Sequence, residues 1–407
     1  MSLFSFSNLF KKKYNYSLVY DIRGGSVGVS IVKFVAGPGF DVLKSVRQPI
    51  SISNNISTDQ YIRQMGSALE KASAEIQKHL IEINLTRPKA KIRVDRGFIF
   101  FSSPWSASQT MVYRYTTDND TIITPSFLDK IFKEESAKLR SSLSGAKIFT
   151  DINSVGDVIE KKIIQAKING YVMEDILNKP AQDLELSIYL TVVPQQIISQ
   201  IENSISRHFI VDEYYLHSLS LPLYTVTRDL YPHKDDFVLV EIGYETTEIM
   251  IVRDKVIAGH ASIPMGRNFF IKEVASKMKV GPEIANSMIS LHCKGECDAG
   301  ATAVFGDTLK SLVDIWSNKI KEVFSKYIEE MYIPKSVFFV ADNDFICYVA
   351  EHFTNSKVDQ YGIMASELKV LLIEKNQLSK ICGKTTAAQE DMILHVEQLF
   401  LDKIYNI

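Results

Sequence analysis

Two distant stretches of the chain share one layout: an apolar strand ending in an acid, a glycine-bearing polar turn, and a second apolar strand. The first runs from Tyr16 to Ile22 (YSLVYDI), carries Asp21, turns through Arg23-Gly24-Gly25-Ser26, and leaves as Val27 to Phe34. The second begins with the apolar run Phe237 to Val240. It continues through Glu241, Gly243, Thr246 and Thr247, returns at Ile249 to Val252, and ends in a further strand from Val256 to Ser262, shortly before Gly266. Each reads as buried strands joined by tight turns. Glycines and hydroxyls beside a carboxylate can surround a phosphate and its magnesium with backbone N–H and side-chain groups. Gly24 and Gly25 permit positive φ and close backbone approach, and Arg23 adds a cation. A turn of this composition that binds nothing is the ordinary alternative. The second copy is what argues for a clamp.

With 407 residues the chain is long enough for two or more cores. A net charge of −2 gives no global field toward nucleic acid. Four cysteines do not make a disulfide framework, and a reducing cytoplasm is the expected home. Cys293 and Cys297, with His292 alongside, lack a second pair at zinc-ligand spacing. No stretch is apolar enough to span a bilayer. The start, MSLFSFSNLFKKK, is not a secretory signal, because its charges follow its apolar part. Phe4, Phe6, Leu9 and Phe10, followed by Lys11, Lys12 and Lys13, suit a short anchor at the inner face of a membrane. The alternative is a terminus packed on its own domain.

In order, the pattern predicts a strand at Phe40–Val46, a helix from Thr58 through Leu80, and a strand at Ile92–Phe101. A block from 106 to 208 follows, with strands near Met111–Thr116, Asp157–Asn169 and Asp183–Val193 and a helix opened by Pro194. A strand at Phe209–Tyr215 and a short helix at Leu221–Tyr231 lead to the second hairpin. Helices are expected at Asn268–Met278, Pro282–Ser290 and Asp307–Tyr327. A strand at Val337–Val340 precedes a helix at Phe345–Phe353, and a core-packed helix ends the chain.

Two acid-plus-glycine hairpins, a late strand–turn–helix and a small α/β block between the hairpins together resemble the actin-like ATPase superfamily. The inserted block narrows the resemblance to the branch of FtsA and PilM. Ile176–Pro194 (ILNKPAQDLELSIYLTVVP) is similar to part of that branch's SHS2-type insertion, and Phe237–Gly266 to its second phosphate motif with the following Ile-Pro-Met-Gly. The resemblance implies an α/β, two-lobed, ribonuclease H-like actin fold. Its parts would be a membrane-proximal segment at 1–13, lobe 1 at 14–105 and 209–235, the insertion at 106–208, and lobe 2 at 236–407.

The resemblance also implies ATP held by Asp21, Arg23, Gly24, Gly25, Ser26, Glu241, Gly243, Thr246, Thr247, Gly266, Ala341 and Asp342, with Asp21 and Glu241 toward magnesium. The chain departs from the usual motifs at several of these places. Arg23 follows Asp21-Ile22 where a glycine is usual, and Glu241 replaces an aspartate. Tyr244-Glu245 replace a glycine-rich turn, Ala341-Asp342 replace paired glycines, and Arg267 replaces the glycine after Gly266. A Cβ at Ala341 and a charge at Asp342 would crowd an adenosine. The implied function is first an FtsA-like, ATP-binding scaffold of a membrane-associated assembly in cell division, with PilM-like type IV pilus assembly as the alternative. It would have protein partners and self-association, as a weak ATPase or as a pseudo-ATPase. A sugar-kinase-like phosphotransferase is the competing enzyme class. It needs a general base beside an acceptor hydroxyl, and no carboxylate stands in an interpretable motif for one.

Overall fold

The computed structural model describes residues 16–35, 37–51, 57–86, 92–142, 156–296, 299–328, 331–341, 345–355, 369–373, 375–378 and 391–405. The anchor residues Phe4, Phe6, Leu9, Phe10, Lys11, Lys12 and Lys13 lie outside them, as do Cys297 and Asp342.

Two five-stranded sheets repeat one topology. In the first, β1 (Tyr16–Ile22), β2 (Ser26–Phe34) and β3 (Phe40–Pro49) form an antiparallel meander. Then β4 (Val94–Phe101) and β9 (Glu213–Ser218) add in parallel beside β1. In the second, β10 (Phe237–Ile242), β11 (Thr247–Arg253) and β12 (Val256–Ile263) form the meander, and β13 (Ser336–Val340) and β14 (Lys369–Leu372) add in parallel beside β10. The near-continuous apolar runs of β1 and β10 follow from burial on both faces.

Period-two alternation assigns each face. Leu18, Tyr20 and Ile22 point to α1 (Thr58–Thr86) and α3 (Gln195–Ser206). Val19 points the other way, into a core shared with Phe237, Leu239, Met250 and Phe338 of the second sheet. Helices α4 (Ser220–Leu230) and α10 (Met392–Tyr405) fill that shared core, so the two lobes are welded at their inner faces. Val238, Val240 and Ile242 pack outward on α5 (Arg267–Met278), α6 (Pro282–Cys293), α7 (Ala299–Ile328) and α8 (Phe345–Asn355). A single turn, α9 (Lys375–Leu378), contributes Leu378 to the shared core.

The block 106–208 divides in two. Its β5 (Ala107–Ile122), β6 (Gly156–Ile168), β7 (Tyr171–Val172) and β8 (Pro180–Pro194) form a separate sheet in the order β5-β8-β6-β7, with α2 (Pro125–Ser142) on one face and its own core. Helix α3 instead packs beside α1 on lobe 1. The sheet is tied to lobe 1 by buried Glu160, which accepts hydrogen bonds from Ser218 Oγ (2.6 Å), Ser218 N (3.1 Å) and Thr191 Oγ1 (3.0 Å). The strand expected at Phe209–Tyr215 lies at Glu213–Ser218. The end of α3 continues past Ser206 as a turn, with Phe209 N donating to Ile205 O at 2.9 Å.

Candidate functional site

The two hairpins meet tip to tip, and their turns are built alike. Ile22 pairs with Val27 around Arg23–Ser26, closed by Arg23 N to Ser26 O at 3.0 Å. Ile242 pairs with Thr247 around Gly243–Thr246, closed by Gly243 N to Thr246 O at 2.9 Å. Asp21 and Glu241 thus occupy equivalent places, each the last-but-one residue of its strand, and both are buried.

Each carboxylate is clasped by an arginine. Arg23, fully buried, crosses from lobe 1 and donates Nη2 to Glu241 Oε1 at 2.5 Å. Arg47, on β3, donates Nη2 to Asp21 Oδ2 at 2.5 Å, Nη1 to Ser26 Oγ at 2.7 Å and Nε to Asp391 Oδ2 at 2.6 Å. Asp391 also caps α10 by accepting from Leu394 N at 3.1 Å. Glu397 of α10 lies fully buried nearby, and burial, followed by the charge of Asp21, pushes its carboxyl far up. Burial opposes the charge on both arginines, yet the carboxylates around each hold its pKa above the ordinary value.

The turn of the second hairpin is filled and pinned. Tyr244 lays its ring against Gly25, where any Cβ would overlap it, and Arg23 stands 5.4 Å from the ring centroid. Tyr61 donates to Gly24 O. The opening N–H groups of α5 and the residue before it, which could receive an anion, are spent on backbone carbonyls. Gly266 N donates to Glu245 O (3.1 Å), Arg267 N to Gly243 O (2.9 Å) and Asn268 N to Tyr244 O (2.8 Å). Glu245 itself supplies the anion there, accepting from Asn268 Nδ2 at 2.7 Å. A Cβ on Gly266 would come within 2.6 Å of the Gly243 and Tyr244 backbone, so glycine is required by close approach.

The remaining expected residues are placed as follows. Thr247 is buried, donates to Met265 O at 2.7 Å and accepts from Trp316 Nε1 at 3.0 Å. Thr246 is half-buried in the turn. Ala341, directly after β13, is buried in the lobe 2 core. Arg47, Asp391, Tyr61, Asn268 and Glu397 belong to the site without having been picked out in the sequence. Of these, only Asp391 carries a local signal, as an acid opening an amphipathic helix.

A small pocket behind the clasp is lined by Glu241, Glu248, Ser102, Ser103, Ser106 and Ser220, among others. Burial pushes the Glu248 carboxyl from the usual 4.5 to about 7, and burial pushes Glu241 to about 7 against the pull of Arg23. His260 Nε2 lies 3.5 Å from Glu248 Oε2, and burial holds the ring neutral, down to about 4. An acid whose folded pKa is raised stabilises the fold most below its unfolded pKa and loses that contribution as pH climbs to the folded one. Glu248→Gln removes this dependence. Its stability relative to wild type is expected to rise by up to about 3 kcal/mol between pH 4.5 and pH 7.5. Thermal unfolding across that range checks it, and a constant difference would refute the assignment.

No family model and no curated protein sequence matches the chain. Solved structures do. The PilM–PilN type IV pilus biogenesis complex matches with a TM-score of 0.63 at 9% identity, over 97% of this chain and 99% of that one. The fold is actin-like. The ethanolamine utilization protein EutJ of Carboxydothermus hydrogenoformans matches with a TM-score of 0.43 at 10% identity, over 87% of this chain and 84% of its own. A Bacteroides thetaiotaomicron protein of actin-like ATPase fold matches with a TM-score of 0.40 at 9% identity, over 89% and 93%.

That fold implies a nucleotide and magnesium between the hairpins, and as folded here the residues do not fit them. The two carboxylates that would face a metal are each paired with a guanidinium, and the amides of Arg23, Gly243 and the start of α5 are closed on protein carbonyls. Tyr244 fills the space against Gly25.

Proposed function

We propose that this chain is a PilM-like scaffold, a partner-binding component of a membrane-associated assembly that works by holding other proteins. The observation that carries the reading is the two-way overlap with the PilM of the PilM–PilN complex, 97% of one chain and 99% of the other. That complex pairs PilM with a protein, PilN, and a protein partner is the class inferred here. A pilus-type role is preferred over a division role on that comparison alone. The basic-aromatic start, Phe4 to Lys13, is assigned to peripheral contact with anionic lipid at the inner face of the membrane.

Purified full-length chain is to be tested for binding to the pilus-assembly and division proteins of its own genome, free and on anionic liposomes. Binding of a pilus protein is expected, and flotation should be lost in a chain lacking residues 1–13. Capture of division proteins alone would overturn the pilus role, and equal flotation of both chains would overturn the lipid contact.

A further inference from the structure

We infer that the two hairpin turns form an internal clasp that takes the place of nucleotide and metal, so that the chain itself holds its lobes closed. The lobes of a clamp of this shape need a cross-link at the hairpin tips, because carboxylates from both sides converge there. Without a cation, Asp21 and Glu241 would be two buried like charges facing one cleft. Arg23 and Arg47 supply the cations. Arg23 reaches across the lobe boundary to Glu241, while Arg47 joins Asp21 to Asp391 at the start of the C-terminal helix. The steric half of the clasp is independent of charge. Tyr244 of lobe 2 seats on Gly25 of lobe 1, and the opening amides of α5 hold the Tyr244 turn in that seat.

Several of the residues that form this clasp are the ones at which the chain departs from the motif pattern. Arg23 stands at a glycine position and closes the ion pair. Tyr244 and Glu245 stand in a glycine-rich turn, where one fills the space against Gly25 and the other satisfies Asn268. Arg267 replaces a second glycine and donates to Asn286 Oδ1 at 2.8 Å. Arg23, Tyr244 and Glu245 serve one arrangement, whereas the Arg267 side chain turns to α6 and stands outside it. The inference rests on the hairpin geometry and not on the partner reading, so the two fail separately.

The test has two arms on the full-length chain. Calorimetry and thermal unfolding with ATP or ADP and magnesium at millimolar concentration should show no saturable heat and no change in Tm, and EDTA should leave Tm unchanged. Saturable binding, or a rise in Tm above about 2 °C, would overturn the inference. In the second arm, Arg23→Ala should raise amide hydrogen exchange at residues 23–26 and 243–246 by about a hundredfold, while β13 in the lobe 2 core changes far less. Tyr244→Ala removes no charge and is half-buried, so it gives a second reading should Arg23→Ala fail to fold. It should raise exchange in both turns by about tenfold. Protection at both turns that survives Tyr244→Ala would sink the clasp.

Discussion

Arg23→Ala is expected to lower the stability of the chain by about 3–5 kcal/mol at pH 9, because it strands Glu241 without a counter-ion in a site closed to water. Arg23 is 1% exposed and Glu241 2%, so solvent cannot replace the lost partner. The pair Arg23→Met with Glu241→Met removes both charges together, and that double variant should lie within about 2 kcal/mol of wild type. The contrast between single and double variants separates the cost of an orphaned charge from the worth of the ion pair. Acidity provides a further check. Burial already raises Glu241 to about 7 with Arg23 in place, and removing the guanidinium raises it further. A protonated Glu241 needs no counter-ion, so the deficit of Arg23→Ala should stay level between pH 5 and 7 and widen as pH rises from 7 to 9. Denaturant unfolding at two pH values measures all three quantities. A single variant within about 1 kcal/mol of wild type would show that the pair is not a structural cross-link.

Much of this architecture was legible before any coordinates, because the hairpins obey local rules. The acid, the turn and the apolar flanks of Asp21–Phe34 and Glu241–Val252 are contiguous in sequence, and period-two burial fixes which residues face which core. The clasp was not legible for the opposite reason. Arg47 lies on β3 among residues of ordinary strand pattern, and its partners Asp21, Ser26 and Asp391 lie on three other segments. Nothing in local spacing brings Asp391 to β3; the docking of α10 between the lobes does. Arg23 was visible as a departure from pattern, but its reach to Glu241 depends on how the two lobes face each other. The packing of α3 was hidden for a related reason. Pro194 opens an amphipathic helix wherever that helix packs, and only the tertiary fold puts α3 on lobe 1 rather than on the inserted sheet.

Trp316→Ala is expected to cost about 3–5 kcal/mol, the range for emptying a large aromatic from a close-packed core. Trp316 is fully buried on α7, with its ring against Phe270, Phe339 and Phe353. Its indole also reaches the site. Nε1 donates to Thr247 Oγ1, and Thr247 Oγ1 donates to Met265 O at the approach to Gly266. The lobe 2 core therefore holds the start of β11 and the approach to α5 in register, and both border the Tyr244 turn. Trp316→Phe separates the two contributions. It keeps most of the apolar volume and loses the donor, so about 1–2 kcal/mol is expected for the lost hydrogen bond and the small cavity. The two variants should also differ in kind. Trp316→Ala should raise hydrogen exchange throughout α7, β11 and the 243–246 turn, because the whole lobe loosens. Trp316→Phe should raise it chiefly at Thr247 and around Met265, where the tether ends. If Trp316→Phe costs as much as Trp316→Ala, the hydrogen bond and not the packing sets the stability of the lobe. If exchange at the turn is unchanged in both, the clasp is held from lobe 1 through Arg23 and Arg47, and the core behind Thr247 contributes nothing to it.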